Sequence, residues 1–178
     1  MRIISGFLKG RKIEPPKGLP VRPTTDMSKE ALFNVLHNRL DFEDINVLDL
    51  FSGTGNITLE FASRGVSDIV AVDQNFKCCA FLTKAMEEFK LTGIRVVRDN
   101  VFKFIERNHE PFDLIFADPP YDLPELIEIP NKIFNTDLLK PNGLFILEHR
   151  SYQKFSDHRN FIESRKYGQS SFSLFKPI

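Results

Sequence analysis

From Ile45 to Glu148, short apolar runs alternate with longer stretches of helical period, and this alternation constrains the fold more than any other feature of the chain. The runs are Ile45–Leu50, Ile69–Asp73, Ile94–Val97, Asp113–Ala117 and Gly143–Glu148. Short, nearly continuous apolar segments bounded by turns suit strands buried on both faces of a parallel sheet. Between them, helices are expected from Gly55 to about Arg64-Gly65, over 75–90, through Phe104, and somewhere in 123–136. The 75–90 helix carries Phe76, Ala80, Thr83 and Glu87 at i, i+4 steps, with Phe81, Leu82, Ala85, Met86 and Phe89 available to a core. Phe161–Lys166 and Ser171–Lys176 are expected to close the sheet as an antiparallel pair. The fold class is therefore α/β, a Rossmann-like, doubly wound and mostly parallel sheet with helices on both faces.

The first 25 residues differ from the rest. Residues 2–14 predict two short strands around Lys9-Gly10, a hairpin extension, and Pro15–Pro20 a loop. A helix over Met27–His37 follows, with Thr25 or Asp26 as its cap and Ala31, Leu32, Val35 and Leu36 on one face. Residues 1–22 hold six basic side chains (Arg2, Lys9, Arg11, Lys12, Lys17, Arg22) against Glu14, a net of +5, while the whole chain is neutral. They offer little apolar material for a core. A basic arm on an acidic body predicts an anionic partner. The chain is expected to divide into an arm, 1–25, that meets the anionic partner through Arg2, Lys9, Arg11, Lys12 and Arg22, and a main domain, 26–178.

Other features narrow the class. No apolar run is long enough to span a membrane, and the N-terminus lacks the apolar core of a signal peptide. Cys78 and Cys79 are adjacent, so they make neither a disulfide framework nor a zinc pattern, and they read as buried helix thiols. A cytoplasmic protein is expected. His37, His109, His149 and His158 show no ligand spacing, so no metal is expected.

Two stretches carry chemistry. Asp49-Leu50-Phe51-Ser52-Gly53-Thr54-Gly55 leaves the first core strand and opens a helix; its glycines permit a tight turn and a close ligand. Asp73 ends the second strand, where an acid can accept hydrogen bonds from ribose hydroxyls. The third glycine of a dinucleotide fingerprint is replaced by Thr58, and no Gly-Lys-Ser/Thr follows, so a nucleoside without phosphates fits better than NAD or ATP. S-adenosylmethionine is the expected cofactor, with Asp49 at its amino-acid end. The second stretch is Asp118-Pro119-Pro120-Tyr121, after the fourth strand. Its prolines remove two donors and stiffen the turn. A carboxylate and an adjacent carbonyl can accept both hydrogens of a planar NH2 group while a ring stacks on its face.

Together these stretches resemble class I S-adenosylmethionine-dependent amino-methyltransferases. The N-terminal block, Arg2-Ile3-Ile4-Ser5-Gly6, Gly10-Arg11 and Arg22-Pro23-Thr24-Thr25-Asp26 with Glu30, Leu32 and Phe33, resembles the bacterial 16S rRNA guanine-N2 methyltransferases. The resemblance runs from Met1 to about Glu148-His149. It implies a seven-stranded sheet of order 3-2-1-4-5-7-6 with the last strand antiparallel. It also implies a cofactor site of Thr25, Asp49, Phe51, Ser52, Gly53, Gly55, Asp73 and Asn100, with Thr25 over the methionine end. Asn100, or Asp99 in a neighbouring register, would meet the adenine amine. Asp118, Pro119 and Tyr121 would be catalytic, the two acceptors orienting the guanine amine and Tyr121 stacking on the base. The implied partner is 16S rRNA or the small ribosomal subunit. Two rivals stand beside this reading: a DNA adenine-N6 methyltransferase, which shares Asp-Pro-Pro-Tyr, and a nucleoside-binding module without catalysis.

Overall fold

Seven strands form one sheet in the order β3-β2-β1-β4-β5-β7-β6, in a computed structural model that describes residues 1–19 and 25–178. In chain order the elements are α1 (Asp26–His37), β1 (Asn46–Leu50), α2 (Asn56–Ser63), β2 (Asp68–Asp73), α3 (Phe76–Glu88), β3 (Ile94–Arg98), α4 (Val101–Arg107), β4 (Phe112–Ala117), α5 (Ile129–Phe134), β5 (Leu139–Arg150), β6 (Phe161–Tyr167) and β7 (Ser170–Phe175). β1 to β5 pair in parallel, and β7 enters antiparallel between β5 and β6. The expected topology is the observed one. The order reverses between β1 and β4, and a ligand cleft belongs at the carboxyl ends of those two strands.

The apolar runs are buried on both faces, which is why they read as continuous. Leu48, Leu50, Val70, Val72, Ile115 and Phe145 pack on one side with Val101, Ile105 and Ile133. Val47, Ile69, Leu114, Phe116 and Ile146 pack on the other with Leu32, Phe33, Leu36, Ile57 and Phe61. Thr25 caps α1, its hydroxyl accepting from the Ser28 N–H at 3.1 Å.

Several expectations need correction. On α3, Leu82, Ala85, Cys78 and Cys79 are buried as expected, Phe81, Met86 and Phe89 are only half-buried, and Phe76, Ala80, Thr83 and Glu87 face solvent. On α1, Phe33 replaces Ala31 and Val35 as a core residue, and those two are half-buried. β5 starts at Leu139, four residues before Gly143, because a bulge between the Phe112–Leu139 and Leu114–Leu144 pairs absorbs Lys140–Gly143. In 123–136, Pro130 at the head of α5 separates a 3-10 turn, Pro124–Glu128, from the α-helix.

The N-terminal arm departs most from its expectation. Its two strands reduce to a single antiparallel bridge, Arg2 with Lys12. It does carry core material: Ile3, Leu8 and Ile13 are buried against Leu59, Ala71, Leu82 and Ala85. Polar groups pin it as well. The buried Glu60 carboxylate of α2 accepts from the N–H groups of Ile4 and Ser5, at 2.9 and 3.1 Å. Ser63 caps the turn: its carbonyl accepts from Phe7 N–H and its hydroxyl from Leu8 N–H. At Gly6, φ is +81° and a Cβ would lie 1.7 Å from the Ser63 oxygen, so only glycine lets the arm approach this closely. The arm is packed onto the body of the protein.

Candidate active site

A cleft of about 1030 Å³ opens at the carboxyl ends of the parallel strands. Its walls come from several places. The β1–α2 loop gives Asp49 and Phe51–Thr54, and the end of β2 gives Asp73. The loop after β4 gives Asp118–Tyr121. β5 and the β6–β7 turn give Glu148, Arg150 and Tyr167–Ser170, and the start of α1 gives Thr25, Met27 and Ser28.

The β1–α2 loop is held open by backbone geometry. Phe51 adopts φ +61°, strained for a residue with a side chain, and its ring meets Phe102 edge-on at 6.2 Å. The Gly53 N–H donates to Asp73 Oδ2 at 2.9 Å, and the Asn75 N–H to Oδ1 at 2.8 Å. Asp73 thus ties the loop to the end of β2 while each oxygen retains a lone pair for a ligand. Asp49 is buried and accepts a short hydrogen bond from the Thr58 hydroxyl. Burial pushes its carboxyl up to about 7, against the pull of the Thr58 bond and with a further push from Asp73. Thr58, which replaces a glycine of the dinucleotide fingerprint, is therefore the partner of the buried Asp49. Ser52 Oγ is buried with no hydrogen-bond partner among the described residues.

The expected site residues fall into three groups. Thr25, Asp49, Phe51, Ser52, Gly53, Asp73, Asn100, Asp118, Pro119 and Tyr121 all line the cleft. Gly55 does not; it is the N-cap of α2 at φ +82°, where a Cβ would lie 2.4 Å from Leu82 of α3. Asp99 does not line the cleft either, and it pairs with Arg107. Asn100 is the N-cap of α4, its side-chain carbonyl accepting from the Phe102 and Lys103 N–H groups. That carbonyl is committed, so the NH2 is the group Asn100 can turn to a ligand. Of the arm, Lys9, Arg11 and Lys12 are exposed. Arg2 pairs with Asp26 at 3.3 Å, and Arg22 lies outside the described residues.

Sequence reasoning missed the β5–β7 side. The Tyr121 hydroxyl donates to Glu148 Oε1 at 3.2 Å and shares a 2.6 Å hydrogen bond with Ser170 Oγ. The Arg150 guanidinium lies over the Tyr121 ring, 5.0 Å from its centroid. One signal was available: Glu148 is an acid near the end of an apolar strand, the pattern that singled out Asp49, Asp73 and Asp118.

Also missed was a buried ion pair behind the cleft. Lys29 of α1 and Glu60 are both buried and meet at 3.1 Å, and Arg64 reaches Glu60 at 2.8 Å. Lys29 Nζ also donates to the Arg2 carbonyl at 2.6 Å and to Asn56 Oδ1 at 2.9 Å. Burial lowers the Lys29 pKa. Asn56 lines the cleft, so this network joins the arm, α1 and the cleft wall.

The chain is similar to known proteins over its whole length. The family described as "Conserved hypothetical protein 95" matches residues 1–176. "Putative rRNA methyltransferase YlbH" of Bacillus subtilis is 31% identical over 183 residues, covering 99% of this chain and 98% of the relative. "Ribosomal RNA small subunit methyltransferase D" of Escherichia coli (strain K12) is 32% identical over 148 residues, 83% of this chain and 74% of the relative. Among solved structures, "Putative methyltransferase yhhF from Escherichia coli" superposes with a TM-score of 0.87 at 29% identity, covering 99% of this chain and 97% of that one. With this sheet order and this cleft, the chain is a Rossmann-like class I methyltransferase fold and belongs to the family described as conserved hypothetical protein 95, alongside ribosomal RNA small subunit methyltransferase D.

Proposed function

We propose that this protein methylates the exocyclic N2 amine of a guanine in small-subunit ribosomal RNA, using S-adenosylmethionine. One observation carries the reading: Asp118-Pro119-Pro120-Tyr121 and the Asp49–Gly53 loop line the same cleft from adjacent strands. The printed functions of the relatives supply the RNA class.

The residues suit that cofactor. Asp49, whose carboxyl is raised by burial, and the Ser52 hydroxyl, which has no hydrogen-bond partner among the described residues, both line the cleft. Asp49 would meet an ammonium, Asp73 the ribose hydroxyls, and the Asn100 NH2 a ring nitrogen of adenine. When bound, S-adenosylmethionine supplies a methyl group activated by a sulfonium.

The chain's own residues do the rest. An aromatic amine is a weak nucleophile because its lone pair is delocalised. The Asp118 carboxylate and the Pro119 carbonyl accept its two hydrogens and hold the nitrogen facing the cofactor loop. Asp118 would take the proton that the amine gives up as the N–C bond replaces the methyl–sulfur bond, which leaves a neutral thioether. Tyr121, braced by Glu148, Ser170 and Arg150, supplies a fixed face for the unstacked base. The barrier is lowered by positioning and by the nearby negative charge. The exposed Lys9, Arg11 and Lys12 of residues 1–25 would hold RNA phosphates, which position without reading sequence.

Radiolabelled S-adenosylmethionine offered with small-subunit rRNA, large-subunit rRNA or duplex DNA tests the proposal. Label in small-subunit rRNA, recovered as N2-methylguanosine, is expected. Label in DNA as N6-methyladenine would establish the rival enzyme, and saturable cofactor binding with no transfer would establish the non-catalytic module.

A further inference from the structure

Beyond the cleft, on the side away from the arm, the chain builds a second basic surface. Residues 150–154 and 164–170 hold Arg150, Lys154, Arg165 and Lys166 and no acid. Glu163 takes Arg165, with bonds of 3.2 and 3.3 Å. Arg150, Lys154 and Lys166 are exposed. Tyr152 lies between Arg150 and Lys154 in the chain and is 71% exposed, an aromatic residue that the core does not use.

Backbone bonds fix this segment at the rim of the cleft. The Gln153 N–H donates to the Arg150 carbonyl at 3.0 Å, and the Arg150 N–H donates to Gln153 Oε1 at 3.1 Å, which closes residues 150–153 into a turn. The Ser151 N–H donates to the Gln169 carbonyl at 2.9 Å and ties that turn to the one between β6 and β7. Lys166 shares a row with Ser171 and His149 across the same three strands. Arg150 and Tyr167–Ser170 line the cleft, so the surface continues its wall. The arm packs at the other end, against Ala71 of β2 and Leu82 of α3. In the sheet order, β4 with Asp118–Tyr121 at its end lies between the two. Two strand spacings, roughly 10 Å, separate β4 from β7. A nucleotide next to a base held at Tyr121 is therefore within reach of this rim.

Cations beside a solvent-facing aromatic ring are the parts of a single-strand site: the cations meet phosphates, and a base of any identity stacks on the ring. We infer that Arg150, Tyr152, Lys154 and Lys166 hold the RNA strand beside the target nucleotide, with Tyr152 stacking on a neighbouring base and the cations meeting its phosphates. This rests on the RNA-methyltransferase reading above and adds to it a second contact surface, across the cleft from the arm.

The test measures affinity, at several salt concentrations, for whichever of naked small-subunit rRNA and small ribosomal subunits the wild type methylates. Tyr152→Ala should weaken binding by about 5- to 150-fold, the range for one stacked base, with an unchanged salt slope. Tyr152→Phe keeps the ring and should bind within about twofold of wild type. Lys154→Gln combined with Lys166→Gln should lower the slope by about 0.7 for each phosphate no longer held. S-adenosylhomocysteine affinity should match wild type in all of these variants, which separates lost RNA contacts from lost folding. Tyr152→Ala binding as tightly as wild type, equal losses in Tyr152→Ala and Tyr152→Phe, or an unchanged slope in the lysine variant would overturn the inference. Nucleoside analysis of the wild-type product reports on the guanine-N2 reading separately. A different methylated base in rRNA would defeat that reading and leave the affinity comparison standing, whereas wild type that methylates neither RNA substrate would defeat both.

Discussion

Asp118 follows β4 with its own N–H donated to the Leu50 carbonyl at 3.3 Å, so its position depends on the β1–β4 pairing and not on a ligand. Asp118→Ala should therefore leave the cleft formed. Methyl transfer should fall by at least about 100-fold, while S-adenosylhomocysteine affinity, measured by calorimetry, stays near wild type. Asp73 is different, because it ties down the loop and, in the proposed reading, also holds the ligand. Asp73→Ala should cost about 1.5–3 kcal/mol of cofactor binding, as for hydrogen bonds to a charged group; unchanged affinity would move the ribose elsewhere. Asp49 adds a pH dependence. Its carboxyl is raised from 3.8 to about 7, so folding favours the protonated form. The associated stability is full below pH 3.8 and is lost as pH rises through about 7. A bound ammonium needs the ionised form. Cofactor affinity should therefore fall by up to about tenfold per pH unit below pH 7, and Asp49→Asn should flatten that slope.

At the scale of elements, the arm and α1 are joined to α2 through Lys29 and Glu60. Removing one partner leaves a buried charge without its counter-charge, a cost of about 3–5 kcal/mol. Glu60→Ala should show that loss in a denaturant titration. It should also release the arm to proteolysis near Gly6, because the Ile4 and Ser5 N–H groups lose their acceptor. Lys9, Arg11 and Lys12 behave oppositely, since they are exposed and the arm is anchored by Ile3, Leu8 and Ile13. Neutralising all three should leave the melting temperature within a degree or two. It should weaken RNA binding and lower its salt slope by about 0.7–0.9 for each phosphate no longer held. An unchanged slope with a depressed melting temperature would make the arm purely structural.

For the molecule as a whole, the sheet was legible because its parallel strands are buried on both faces and so appear as unbroken apolar runs. The β1–β2 side of the cleft was legible for a related reason: Asp49–Gly53 and Asp73 interrupt those runs with turn-forming and acidic residues. The β5–β7 side was hidden, because Glu148, Arg150 and Ser170 reach the cleft through long-range pairing that no local period records. The arm misled for a similar reason. Ile3, Leu8 and Ile13 are too sparse to register as a core until α2 and α3 are placed beneath them. Gly55 adds a close approach to Leu82 that motif reading did not anticipate. The central claim joins both sides of the cleft in one reaction, and nucleoside mass spectrometry of 16S rRNA tests it most directly. In a strain lacking this gene, one N2-methylguanosine should disappear from 16S rRNA, return with the wild-type gene, and stay absent with Asp118→Ala. A full complement of N2-methylguanosine in the deletion strain, or its restoration by Asp118→Ala, would contradict the account.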